Sequence, residues 1–230
     1  MDSLQKWNGL FFNVKQVSSF LSKYMPHYGK HKKYTELKIA LLFVLFLSKD
    51  QIKLYLIGFP TLHDFKSNKR VTLAKILDQA IALDEDFDIV IAPAEKAQQI
   101  NHRLQIVRFT GDVEGSTRSL FNFLKKKKFN IPKDETLILL VRLEKDLQLN
   151  YLELGQILRQ SDVPYGQIFI LGERKLANSC VFFCCQVFPE VKTLKDLDFS
   201  FLRNSKHNKV LEFPNQTEAV GRNPCGFDII

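Results

Sequence analysis

The chain has 230 residues, of which 45% are hydrophobic and 25% charged, a composition that excludes a disordered chain and suits a globular protein with a sizeable core. Lys and Arg total 33 against 25 Asp and Glu, giving a net charge of +8, which favours polyanionic partners such as nucleic acid. The longest apolar run, "IALLFVLFL" at 39–47, has about half the length of a membrane span, so no span is predicted.

The N-terminal segment, residues 1–60, is predicted to be a helical extension. Apolar residues at intervals of three and four predict an amphipathic helix over residues 1–28: Leu4, Trp7, Leu10, Phe11, Val14, Val17 and Leu21. The segment "YTELKIALLFVLFLSKD" (34–50) predicts a second, deeply buried helix. A strand follows at "IKLYLIGFP" (52–60), closed by Gly58 and Pro60.

Residues 61–203 are predicted to form the core, an α/β domain. A basic loop at 61–70 leads into a helix at 71–83 and then into strands at 87–93 and 103–110, joined by a hairpin-like connection. Gly111 ends the second strand, and a helix at 115–128 begins at Ser116 or Thr117 as cap. Further elements are predicted at 136–144 (a strand buried on both faces), 151–160 (a short helix or turn-interrupted segment), 166–173 and 180–188 (strands).

Residues 204–230 show no sustained period, which predicts an irregular C-terminal tail.

The cysteines and the first residues of the chain bear on cellular location. Three of the four cysteines lie in the apolar run "CVFFCCQVF", where thiols behave as small hydrophobes, and no C-x₂-C pair suggests zinc. The first residues lack the basic and apolar segments of a secretory signal. We therefore expect a cytoplasmic protein with reduced thiols and no resident cofactor, unless the catalytic alternative below requires Mg²⁺.

Four stretches carry a resemblance to a known family. "FDIVI" (87–91), "IVRFTG" (106–111), "STRSLFNFLKKKK" (116–128) and "VPYGQIFILGE" (163–173) follow one another in an order that resembles the restriction-endonuclease-like, or PD-(D/E)XK, superfamily. Their sequence motifs are similar to those of the nuclease-like domain found after an AAA-type ATPase in some bacterial proteins. The resemblance covers about residues 71–173. It implies a central mixed sheet flanked by helices, with an Asp and a Glu binding Mg²⁺ and a Lys beside the attacking water.

The positions that match this site are degenerate. They hold Asp88, Ile106 and Arg108, and Ile106 cannot bind a metal, while the guanidinium of Arg108 stays protonated and is a poor base. Moving the register by one residue offers Gln105 as a neutral oxygen ligand, but Val107 then fills the lysine position. Asp88 is therefore interpreted as the relic of a metal site. The alternative is an active Mg²⁺-dependent nuclease that combines Asp88 with Gln105 or Glu114.

The run of four lysines at the end of the predicted helix is the strongest electrostatic feature. Lysines there complement the helix dipole, and they also suit phosphate contacts. The leading prediction is a nucleic-acid-binding protein, for DNA or RNA, whose nuclease-like core is inactive. The predicted contacts are Arg103, Arg108, Lys125, Lys126, Lys127 and Lys128, together with Lys69 and Arg70. A third hypothesis needs no nucleic acid: a protein partner docks on the N-terminal helix. A homodimer is a further alternative, with no surface assigned to it.

Overall fold

The computed structural model describes residues 9–13, 16–21, 32–50, 55–60, 89–94, 102–111, 117–145, 147, 149–176 and 179–198. Within them, eight strands form one mixed sheet whose order in space is the order along the chain. The strands are β1 (Gly9–Phe12), β2 (Tyr55–Pro60), β3 (Ile89–Pro93), β4 (His102–Phe109), β5 (Asp134–Leu143), β6 (Tyr165–Leu176), β7 (Ser179–Phe188) and β8 (Lys192–Asp198). The helices are α1 (Lys32–Asp50), α2 (Thr117–Lys128) and α3 (Tyr151–Arg159). The predicted α/β class is confirmed.

The sheet changes from antiparallel to parallel pairing at its centre. Strands β1 to β4 pair antiparallel in succession, β4, β5 and β6 are parallel, and β7 and β8 are again antiparallel. Parallel neighbours need a crossover connection, which α2 supplies between β4 and β5 and α3 supplies between β5 and β6. The predicted order of two antiparallel strands, a helix and a strand is confirmed by β3, β4, α2 and β5.

Helices cover both faces of the sheet. Helix α1 packs on one face, here called the α1 face, where the ring of Phe43 meets Phe169 of β6 edge-on with centroids 4.8 Å apart. Helices α2 and α3 pack on the opposite face, here called the α2 face. Two successive crossovers that move in the same direction across a sheet place their helices on the same side. The central strand β5 is therefore buried on both faces, as its continuous apolar run predicts.

The N-terminal segment differs from the predicted helical extension. Residues 9–12 form β1, in which Phe11 pairs with Gly58 of β2, and residues 16–21 are helical. Leu10, Phe11 and Phe12 are consecutive, and such an apolar run fits a short strand as well as a buried helix segment, so pairing with β2 decides between the two. The prediction of one helix over residues 1–28 is wrong at β1.

The other N-terminal predictions are confirmed. Helix α1 is deeply buried: Leu37, residues 39–44 and Phe46 are each less than a tenth exposed. Strand β2 lies where a strand ending in a proline was predicted. The predicted loop at 61–70, the predicted helix at 71–83 and the tail at 204–230 fall outside the described residues.

Two features concern β7 and β8. Cys184 and Cys185 are buried thiols on opposite faces of β7, and burial raises the pKa of Cys184 well above its ordinary value. They act as small apolar residues, as predicted. Strand β8 was not predicted, because "KTLKDLD" carries too many charged residues to indicate a strand.

No helix among the described residues is long and apolar enough to cross a membrane.

Candidate nucleic-acid interface

Strand β4 carries three of the predicted functional residues but divides them between the two faces of the sheet. Side chains alternate along a strand, and Leu104 and Ile106 pack on the α1 face, so Gln105 between them points to the α2 face. Val107 and Phe109 pack on the α2 face, so Arg108 points to the α1 face. Gln105 and Arg108, which were predicted to share one site, are therefore separated by the sheet.

Gln105 belongs to a hydrogen-bonded group at the end of α2. The hydroxyl of Tyr165 donates to Oε1 of Gln105 at 3.0 Å and to the backbone carbonyl of Lys128 at 3.1 Å. A phenol has one proton, so the two acceptors share this donor. Burial raises the pKa of Tyr165 to about 12, which keeps the hydroxyl protonated at neutral pH. The contact satisfies one of the last carbonyls of α2 and attaches that end of the helix to β4 and β6.

Helix α2 presents its lysines to solvent because of the spacing of its apolar residues. Thr117, Leu120 and Leu124 form the buried stripe. Lys125, Lys126 and Lys127 are exposed, and Lys128 is half-buried. Among the residues that the structure describes, no carboxylate forms an ion pair with any of these four lysines.

Of the two caps predicted for α2, Ser116 and Thr117, the structure describes Thr117, which is the first residue of the helix rather than the residue before it. The hydroxyl of Thr117 lies inside the first turn and accepts a hydrogen bond from the backbone N–H of Asn150 at 3.1 Å. Asn150 in turn caps α3, because its side-chain oxygen accepts from the backbone N–H of Glu153. Thr117 therefore links α2 to the start of α3 rather than capping its own helix, and Ser116 falls outside the described residues.

Arg103 lies on the same face of β4 as Gln105, about 7 Å further toward the start of the strand. Its side chain is 47% exposed, and its guanidinium forms an ion pair with Asp134 at the start of β5. Burial raises the pKa of Asp134, but hydrogen bonds from Thr136 and Arg103 outweigh this effect and lower the pKa below its ordinary value. Arg103 and Lys125–Lys128 are together called the lysine end.

Arg108 lies at the opposite end of β4, about 17 Å from Arg103 along the strand. It donates two hydrogen bonds to Glu144, at 2.7 and 3.0 Å. In register with it on β5, Arg142 forms an ion pair with Glu173 at 3.4 Å and packs over the ring of Phe182 at 5.3 Å. The hydrogen bond from Arg108 lowers the pKa of Glu144 against the opposing effect of burial. The four residues Arg108, Arg142, Glu144 and Glu173 are called the ion-pair cluster.

The predicted metal site is only partly described. Asp88 directly precedes β3 in the chain but lies outside the described residues, as do Glu114, Lys69 and Arg70. Ile106 packs against the core under α1 and offers no ligand atom. Within the described part of the chain, no group of three or more His, Cys, Asp or Glu residues is arranged to hold a metal ion.

Tyr165, Asp134 and Glu144 are the residues that sequence reasoning missed. Each meets its partner across 31 to 60 positions of sequence, so no local motif marks the contact. Only the parallel pairing of β4, β5 and β6 brings them together.

No protein-family model, curated protein or solved structure matches the chain.

Proposed function

We propose that the chain binds the phosphate backbone of nucleic acid through the lysine end, and that its core is a nuclease-like scaffold without catalytic activity. The observation that supports this most is the exposure of Lys125, Lys126 and Lys127 without a carboxylate partner among the described residues. Adjacent lysines on a fixed helix end hold several positive charges within the spacing of neighbouring phosphates. Tyr165 keeps that helix end in place.

The complementary role of these lysines in the helix dipole does not compete with phosphate binding. A cation near a helix C-terminus stabilises the helix by a few tenths of a kcal/mol up to about 1 kcal/mol, and it remains in solvent. Each phosphate that a lysine then neutralises releases counterions, which drives association at low salt. The same four residues can therefore stabilise α2 and bind a polyanion.

The inactive core is supported by the surroundings of β4. The matching Glu position is Ile106, which packs in the core, and the matching Lys position is Arg108, whose guanidinium is bonded to Glu144. Gln105 points to the α2 face, where its Oε1 accepts a hydrogen bond from the hydroxyl of Tyr165. The β3–β4 hairpin followed by the α2 crossover to β5 supports the restriction-endonuclease-like interpretation of the fold.

The binding experiment uses a matched pair of variants. One replaces Lys125, Lys126 and Lys127 with Gln, and its control replaces the exposed lysines Lys32, Lys38 and Lys192 with Gln. Both changes lower the net charge equally. Affinity for labelled DNA and RNA is measured by fluorescence anisotropy over a range of salt concentrations.

We expect the first variant to lose affinity and the control to retain it. The slope of log affinity against log salt should fall by about 0.7 to 0.9 for each phosphate that the variant no longer neutralises. Equal losses of affinity in the two variants would show that net charge alone attracts the nucleic acid, and no binding by the wild type at low salt would overturn the proposal.

The inactive core is tested on the same nucleic acids by incubation with Mg²⁺, with Mn²⁺ and with chelator, alongside Asp88→Ala. We expect bound but intact nucleic acid under all conditions. Metal-dependent cleavage that Asp88→Ala abolishes would contradict this part of the proposal and establish the catalytic alternative.

A further inference from the structure

Two half-buried aromatic rings lie beside the lysines of α2. Phe121 and Phe129 meet edge to face with ring centroids 6.2 Å apart, and Phe129 lies 6.3 Å from the ring of Tyr165. Phe121 and Lys125 are four residues apart and share one side of the helix. Phe129 directly follows Lys128 in the chain. The two rings, Lys125 and Lys128 thus lie on one side of the helix end and form one surface.

We propose that this surface takes single-stranded nucleic acid, with phosphates on the lysines and unpaired bases stacked on Phe129 and Phe121. The inference rests on the proposed function, which it narrows from nucleic acid in general to the single-stranded form. Proteins that bind single strands combine a positively charged surface with aromatic rings on which bases stack. Phe121 and Phe129 are both half-buried, so part of each side chain remains exposed to solvent.

A duplex does not fit this arrangement as well. Its bases are already stacked and paired, so only phosphates and groove edges would meet the surface, and a half-buried ring cannot reach into the stack without unpairing it. A flexible single strand can turn a base onto Phe129 while its neighbouring phosphates contact the lysines. The aromatic rings therefore add affinity for a strand with unpaired bases only.

The same helix offers a matched control. Phe123 is also half-buried, but it lies on the other side of α2 and its ring packs against buried Phe109 with centroids 5.1 Å apart. Phe123→Leu removes a ring of the same size from the same helix without touching the surface that Phe121 and Phe129 form. Phe129→Tyr keeps a ring at the proposed stacking position, and thermal unfolding of each variant reports whether it is folded.

The experiment measures binding of the full chain to three probes: an oligothymidylate, an abasic deoxyribose-phosphate strand of the same length, and a duplex of the same length. We expect the wild type to prefer the oligothymidylate. Phe129→Leu and Phe121→Leu should each bind it roughly 5-fold to 150-fold more weakly, the range for removal of one base–aromatic stack. Binding of the abasic strand should stay unchanged, and Phe123→Leu and Phe129→Tyr should resemble the wild type.

Equal affinity of the wild type for the oligothymidylate and the abasic strand would overturn the stacking proposal and leave the phosphate-binding function standing. The stacking proposal would also fail if the folded Phe129→Leu and Phe121→Leu variants bound the oligothymidylate as the wild type does. Binding of none of the three probes would overturn the proposed function itself. The two failures are thus distinguishable.

Discussion

The two ends of β4 carry arginines of the same charge in opposite surroundings. At its start, the lysine end comprises Arg103 and the lysines of α2, and one carboxylate, Asp134, forms an ion pair with Arg103. At its finish, the ion-pair cluster sets two arginines against Glu144 and Glu173. Sequence alone weights Arg103 and Arg108 equally as phosphate contacts. Among the described residues, positive charge is in excess at the first end and balanced at the second.

Whether a basic side chain can bind phosphate therefore depends on the carboxylates that surround it. A bidentate bond to a carboxylate fixes a guanidinium and matches its charge, so a phosphate would have to displace that carboxylate. Within the described part of the chain, the lysines on the end of α2 meet no such competition. The lysine end is therefore the proposed polyanion-binding site, and the ion-pair cluster has a structural role.

The largest expected effect comes from Gly166, at the start of β6 next to Tyr165. A Cβ built on Gly166 would overlap the backbone carbonyl of Glu135, so β5 and β6 must separate locally. We expect Gly166→Ala to lower the free energy of unfolding by about 3 kcal/mol, measured by urea denaturation. Because Asp134 and Tyr165 flank this contact, affinity for nucleic acid should fall as well.

Gly172 provides the control at the other end of the same strand. Its Cβ would meet the buried ring of Phe183 rather than backbone, so a side chain and not a strand must be displaced. Gly172→Ala should therefore cost less stability than Gly166→Ala and should leave binding at the lysine end intact. An equal loss of binding in both variants would contradict the separation of the two ends.

An intermediate effect is expected from removing the hydroxyl of Tyr165. Tyr165→Phe keeps the buried ring but deprives Gln105 and the Lys128 carbonyl of their shared donor. The free energy of unfolding should fall by about 1–2 kcal/mol, and amide hydrogen exchange should speed up in the last turn of α2. Unchanged exchange there would show that Tyr165 does not hold the helix end in place.

The smallest effect is expected at Arg108. Its side chain is 57% exposed, so Arg108→Gln should cost less than about 1 kcal/mol and should leave nucleic-acid affinity unchanged. A loss of affinity as large as that of the triple lysine variant would place phosphate contacts at the ion-pair cluster and contradict its structural role.

The same pair has a defined pH dependence. The pKa of Glu144 is lowered in the folded protein, so the stabilisation is present above its ordinary value of 4.5 and is lost as pH falls through the folded pKa. The stability difference between wild type and Arg108→Gln should therefore shrink on acidification below that value. A difference that stays constant into strong acid would show that the pair does not stabilise the fold.

Much of the fold was predictable because its signals are local. The alternation of strands and helices from 87 to 188 follows from apolar runs, Gly111 and the spacing in α2, and the buried α1 follows from its continuous apolar sequence. The prediction at β1 was wrong because three consecutive apolar residues fit either a strand or a buried helix segment until their pairing with β2 is known. Strand β8 was not predicted because its pairing with β7, rather than its own sequence, makes it a strand.

The candidate site was less predictable, since its decisive contacts are non-local. The lysine run and its helix position follow from sequence, but the partners of Arg103 and Arg108 depend on the register between β4 and β5. That register sets Arg108 beside Arg142 and brings Glu144 within reach. A shift of one residue would turn these side chains to the opposite face.

Contact between the α2 lysines and nucleic acid is tested most directly by chemical footprinting, with lysine acetylation read by mass spectrometry in the presence and absence of bound single-stranded nucleic acid. We expect Lys125, Lys126 and Lys127 to become protected while Lys32 and Lys192 react as before. Unchanged reactivity of the three α2 lysines under conditions where binding is complete would contradict the proposed contact.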